Sequence, residues 1–118
     1  MGVPVADRRP TETPELRRLR RRIDALDKRI VAMLNERATL AREAGTAKAA
    51  AGRRAIRDAE REREVLLRVS MANEGPLPQA DLLALYRRLF AATRALEARD
   101  RERDASADGR GPDHDPDR

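Results

Sequence analysis

Apolar residues recur through the first part of the chain at alternating steps of three and four. They are Leu16, Leu19, Ile23, Leu26, Ile30 and Met33, then, past Arg37 in the next seat, Leu40, Ala44 and Ala47. That period stacks side chains on one face of an α-helix, and no proline or glycine interrupts it before Gly45. It predicts a long helix over about 15–48, roughly 50 Å from end to end at about 1.5 Å per residue. Gly52, beside Arg53 and Arg54, marks a loop over about 49–56. A second, short helix opens at Asp58, a good N-cap, with Glu60 and Glu62 in its first turn. Its apolar face is Val65, Leu66, Val69 and Ala72, and it stops at Asn73-Glu74-Gly75-Pro76. A third helix, of medium length, starts near Pro78. It carries Leu82, Leu85, Tyr86, Leu89, Phe90, Thr93 and Leu96 into the charged segment after Arg99.

The expected class is therefore all-α, with a folded part over 15–103. Residues 1–14, with Pro4, Pro10 and Pro14, read as a disordered lead, and 104–118, rich in Gly, Pro and Asp, as a disordered tail. One chain of this make-up cannot cover the seam of its own first helix, because the second helix spans less than half of it and the third about two thirds. An uncovered apolar stripe calls for a partner, most simply a second copy of the chain with the long helices side by side. An extended coiled coil would need only the first stretch, and the proline-punctuated returns argue against it.

Composition narrows the chemistry. The 118 residues make room for one domain, 40% of them are charged and 2% aromatic. With no cysteine, disulfides and thiolate metal sites are excluded, and the single histidine, His114, sits in the polar tail. No apolar run approaches the roughly 18 residues of a membrane span, and Met1–Pro14 lacks the apolar core of a signal peptide. A cytoplasmic protein without a membrane partner is expected. The net charge of +5 raises nucleic acid as a partner. Acidic residues are interspersed among the arginines, however, and aromatics for base stacking are scarce, so none is expected.

The informative charges are those inside the seam. Arg37 takes the step between Met33 and Leu40, Lys48 lies one turn beyond Ala44, and Arg20 flanks the stripe between Leu19 and Ile23. A cation buried without a partner costs several kcal/mol. Such residues persist in a seam as ion pairs, here with Glu36, Asp27 or an acid on a neighbouring helix, or as the grip on an anionic ligand. Spacing alone leaves both readings open. At the head of the second helix, Asp58, Arg61, Glu62 and Val65 share a face, and on the third Thr93 and Glu97 follow the apolar line one turn apart. Three helices thus offer polar groups toward a shared interior, which suits a small, multiply anionic ligand.

These residues resemble the small all-helical bacterial chorismate mutases. The matching pieces are Leu19-Arg20-Arg21-Arg22-Ile23-Asp24-Ala25-Leu26-Asp27, Asn35-Glu36-Arg37 and Gly45-Thr46-Ala47-Lys48. They continue with Arg57-Asp58-Ala59-Glu60-Arg61-Glu62, Asn73-Glu74-Gly75-Pro76-Leu77-Pro78, Leu85-Tyr86-Arg87-Arg88-Leu89-Phe90 and Thr93-Arg94-Ala95-Leu96-Glu97. The resemblance covers about 16–100 and implies an intertwined homodimer with two shared active sites. It implies conversion of chorismate to prephenate by a Claisen rearrangement, for phenylalanine and tyrosine synthesis, with no cofactor and no metal.

Residue by residue, the resemblance implies that Arg37 holds one substrate carboxylate and Arg20 of a second copy the other. It sets Lys48 against the ether oxygen, Arg61 behind the carboxylate cluster, Glu62 and the backbone near Asp58 on the ring hydroxyl, and Thr93 near a carboxylate. Glu97 falls where the family has Gln or Glu donating to the ether oxygen. A carboxylate cannot donate, so Glu97 would act only when protonated. Burial raises its pKa while Lys48 and the arginines lower it, and the sequence leaves the balance open. The loop between Lys48 and Asp58 is one residue longer than in some relatives. Similar domains are also fused to 3-deoxy-arabino-heptulosonate-7-phosphate synthase, and a free copy would be able to bind and tune that enzyme in trans. The alternatives are an isochorismate pyruvate-lyase on the same scaffold, or a non-catalytic basic helical module that regulates a partner or binds nucleic acid.

Overall fold

The computed structural model describes residues 11–52 and 58–107. It contains α1 (Pro14–Ala50), α2 (Ala59–Ala72) and α3 (Gln79–Ala107), and the described residues include no strand. The all-α class and the long, short and medium order expected from periodicity are what the chain adopts.

Each helix end has a local cause. The Thr13 hydroxyl accepts from the Leu16 amide at 3.1 Å, with Pro14 next in line at a position where its missing N–H costs nothing. At the other end of α1, Gly52 takes φ +81°, the left-handed turn that stops a helix. Asp58 caps α2 by accepting from the Arg61 amide at 3.0 Å. After α2, the Asn73 side chain accepts from Gly75 N at 3.0 Å and donates to Leu77 O at 3.1 Å, which ties the turn into α3.

The helix α3 continues to Ala107, past the expected start of the tail at Asp104. The run Arg101-Glu102-Arg103-Asp104-Ala105-Ser106-Ala107 holds no helix breaker, and an Arg103–Asp100 pair at 3.7 Å supports it one turn back. The remainder of that tail, most of the expected lead, Arg57 and half of the expected 49–56 loop lie outside the described residues.

Contacts divide the chain into two units, 1–37 and 38–118. In the first, every large apolar residue of the α1 stripe is exposed, from 37% at Leu16 to 54% at Ile23 and Met33. In the second, α2 packs on α3. The core there centres on Phe90, the one buried hydrophobic among the described residues, with Tyr86 edge-on at 6.2 Å between ring centroids. Arg94 of α3 donates to Glu62 of α2 at 2.5 Å and ties the two helices together.

Candidate active site

The last turns of α1 and the second half of α3 line a cleft that is open to solvent. Arg42, Gly45 and Lys48 line it from α1, at steps of three that keep them on one face. Glu97, Asp100 and Arg101 line it from α3 at steps of three and one. Gly45 lies against the Glu97 side chain: a Cβ on it would lie 3.1 Å from Glu97 Oε1 and 3.3 Å from its Cδ. Glycine is what lets the carboxyl lie down on the α1 backbone.

Beside that contact, Arg42 forks onto Asp100, Nε to Oδ2 at 2.8 Å and Nη2 to Oδ1 at 2.9 Å. The fork holds the Asp100 carboxyl below its usual range, chiefly through the hydrogen bond from Arg42, and raises the guanidinium in return. The half-buried Glu97 carboxyl moves the other way. Desolvation pushes its pKa up and the Asp100 charge adds to that, against the opposing pull of Lys48 and Arg101. The balance that the sequence leaves open falls toward the protonated acid.

Of the residues singled out in the sequence, Lys48 and Glu97 meet in this cleft. Thr93, one turn before Glu97, donates its hydroxyl to Leu89 O at 2.9 Å and keeps its oxygen lone pairs for a donor. Glu62 is engaged by Arg94. Asp58 serves as the α2 cap, and the Arg61 side chain pairs with Glu64 at 3.1 Å. None of these last four lines the cleft. Arg20 and Arg37 belong to the other unit, where Arg20 pairs with Glu12 and Arg37 is half-buried.

Sequence reasoning missed Arg42, Gly45 as a seat, and Asp100. A signal existed: after Leu96 the apolar line of α3 gives way to Glu97, Asp100, Arg101 and Asp104, which keep its three-and-four step.

The chain belongs to the chorismate mutase type II family, whose profile matches residues 19–98. It is similar to the bifunctional chorismate mutase/prephenate dehydratase of Aquifex aeolicus (strain VF5), 39% identical over 87 residues that cover 70% of this chain and 24% of that protein. It is similar also to the protein of the same name from Stutzerimonas stutzeri, 36% identical over 74% of this chain and 25% of the relative. The one from Neisseria gonorrhoeae (strain ATCC 700825 / FA 1090) is 38% identical over 66% and 21%. The chain thus spans about a quarter of the length of the curated relatives it matches. Among the described residues, no helix is long and apolar enough to cross a membrane.

Proposed function

We propose that the chain is a chorismate mutase that rearranges chorismate to prephenate without cofactor or metal, as a homodimer with shared sites. The observation that carries this is the meeting of Lys48 and Glu97 from two helices in one cleft, inside the stretch that matches the family. In the rearrangement the ether C–O bond breaks as a C–C bond forms, and no atom enters or leaves. Negative charge grows on the ether oxygen, so a preorganised cation and a hydrogen-bond donor aimed there stabilise the transition state more than the substrate. Lys48 is the cation. Glu97 is the donor in its protonated form, and the raised pKa supports that state.

The two substrate carboxylates are assigned to Arg37 and to Arg20 of a second copy, with Arg61 supporting them and Thr93 lending its hydroxyl oxygen as part of the same wall. Glu62, with the backbone near Asp58, is assigned to the ring hydroxyl, and its present partner Arg94 would orient it. Confining the flexible enolpyruvyl group in a chair-like pose supplies the rest of the acceleration. The apolar stripe of α1, exposed in one chain, supports the homodimer. A cytoplasmic enzyme of phenylalanine and tyrosine synthesis follows from this reading. Tuning of 3-deoxy-arabino-heptulosonate-7-phosphate synthase in trans is an additional role, tested by titrating that enzyme's rate with this chain.

The deciding assay is loss of chorismate absorbance with purified protein, followed by product identification. Prephenate is expected. Conversion of isochorismate to salicylate and pyruvate instead would make the chain a lyase. Turnover of neither, with salt-sensitive DNA binding, would make it a basic scaffold. Lys48→Ala is expected to lower kcat by about a hundred- to a thousandfold, the range for removing one transition-state donor.

A further inference from the structure

Two rungs join α1 to α3 along the cleft. At one, the Glu97 carboxyl lies over Gly45. The other is three residues back on α1 and three forward on α3, where Arg42 forks onto Asp100 with bonds of 2.8 and 2.9 Å. The steps run in opposite senses along the chain, as antiparallel helices require, so one rung stands a single turn from the other. A guanidinium–carboxylate fork fixes distance and rotation together, which a single contact does not. The Gly45 seat cannot do this by itself, because a glycine has no side chain to set how high the carboxyl rides above it. The pair lines the cleft, with Asp100 one turn from Glu97 on the same face of α3.

We propose that Arg42 and Asp100 are positioning residues for the rearrangement, their fork setting α3 on α1 so that Glu97 lies over Gly45 and beside Lys48. This rests on the reading of Glu97 as donor to the ether oxygen. It adds a second consequence, because the fork places one charge of each sign one turn from Glu97. The charged groups lining the cleft around Glu97 are Arg42 and Lys48 from α1 and Asp100, Arg101 and Asp104 from α3. No charged side chain of α2 is among that lining. Removing Asp100 takes a negative charge away and releases the Arg42 cation; removing Arg42 leaves a negative charge uncompensated. The two changes push the Glu97 proton in opposite directions through charge alone, so the positioning role is read from the loss of kcat and its recovery when the fork is rebuilt.

The test is the pH profile of kcat/KM for the full chain with chorismate. Asp100→Asn and Arg42→Gln are both expected to lose about ten- to a hundredfold in kcat, the scale of a sub-ångström to ångström misplacement. The pH at which activity falls should move down in Asp100→Asn and up in Arg42→Gln, and neither shift should survive in a Glu97→Gln background. The exchanged pair, Arg42→Asp with Asp100→Arg, restores the fork and the local charge balance; it should regain most of kcat and bring the midpoint back toward the wild-type value, and it serves where a single variant does not fold. Equal losses with unmoved midpoints, or shifts that persist without Glu97, overturn the proposal. If the wild-type chain turns over no chorismate, the functional reading falls by itself. The positioning claim is then read from NMR proximity contacts between Glu97 and Gly45 in the same variants. Their loss in the single variants and return in the exchanged pair uphold it, and contacts unchanged in the single variants overturn it.

Discussion

Glu97 draws its chemistry from what surrounds it. Desolvation against α1 outweighs the pull of Lys48 and Arg101 and raises its pKa. The protonated acid is therefore populated to higher pH than an exposed glutamate would allow; if it donates to the ether oxygen as proposed, activity should decline as pH rises through that raised value. Glu97→Gln, a donor at every pH, should give a flatter profile of kcat against pH, and identical profiles for the two proteins would refute the role. Gly45 supplies the seat. In Gly45→Ala the new methyl meets Glu97 Oε1 at 3.1 Å, and the carboxyl, at the end of a flexible side chain, gives way by a few tenths of an ångström. Alanine also favours a helix interior by about 1 kcal/mol over glycine. Thermal unfolding should thus show equal or higher stability while kcat falls about tenfold, a split that loss of fold would not give. Asp100 has the reverse linkage to Glu97. Its pKa is lowered by the Arg42 fork, so the stability it contributes is present above the unfolded aspartate pKa and is lost as pH falls through the folded one. Acid titration of stability should lose that component in Asp100→Asn.

The helices were legible because each carries its own signals. The three-and-four spacing, the Asp58 cap and the Asn73-Glu74-Gly75-Pro76 stop are local, and the chain obeys them within one or two residues. Past Asp104 the same local logic points beyond the expected boundary: polar composition reads as a tail, yet without Pro or Gly before Gly109 nothing stops α3 at 103. The cap of α2 is a place where one residue governs an element. Asp58→Ala removes the acceptor for the Arg61 amide and should cost about 1 kcal/mol, read as a lower urea midpoint at unchanged slope. The fork between α1 and α3 joins residues 58 apart in sequence, and no helix-period pattern announces which arginine meets which aspartate.

At the scale of the molecule, the described residues bury one large hydrophobic side chain, Phe90, while the α1 stripe stays exposed. Covering a leucine or isoleucine fully is worth about 1.5–3 kcal/mol, so several of them meeting a second copy would contribute much of the stability of the fold. Unfolding is then coupled to association. The thermal midpoint should rise with protein concentration, and Ile23→Asp, at 54% exposure in one chain, should yield monomers by sedimentation equilibrium and lose activity. A midpoint that ignores concentration would count against the homodimer and against a site that borrows Arg20.

By itself the sequence determined the three helices, their order and their ends apart from the last turn of α3, because periodicity, caps and stops act over a few residues. It also marked Lys48 and Glu97 as charges at the edge of apolar lines. The tertiary structure alone decided that these two share one cleft, that Gly45 is the seat for the carboxyl, that Arg42 pairs with Asp100, and that the balance on Glu97 falls toward the acid. Those outcomes depend on distances between helices far apart in sequence, and on desolvation, which no single helix carries in its own pattern.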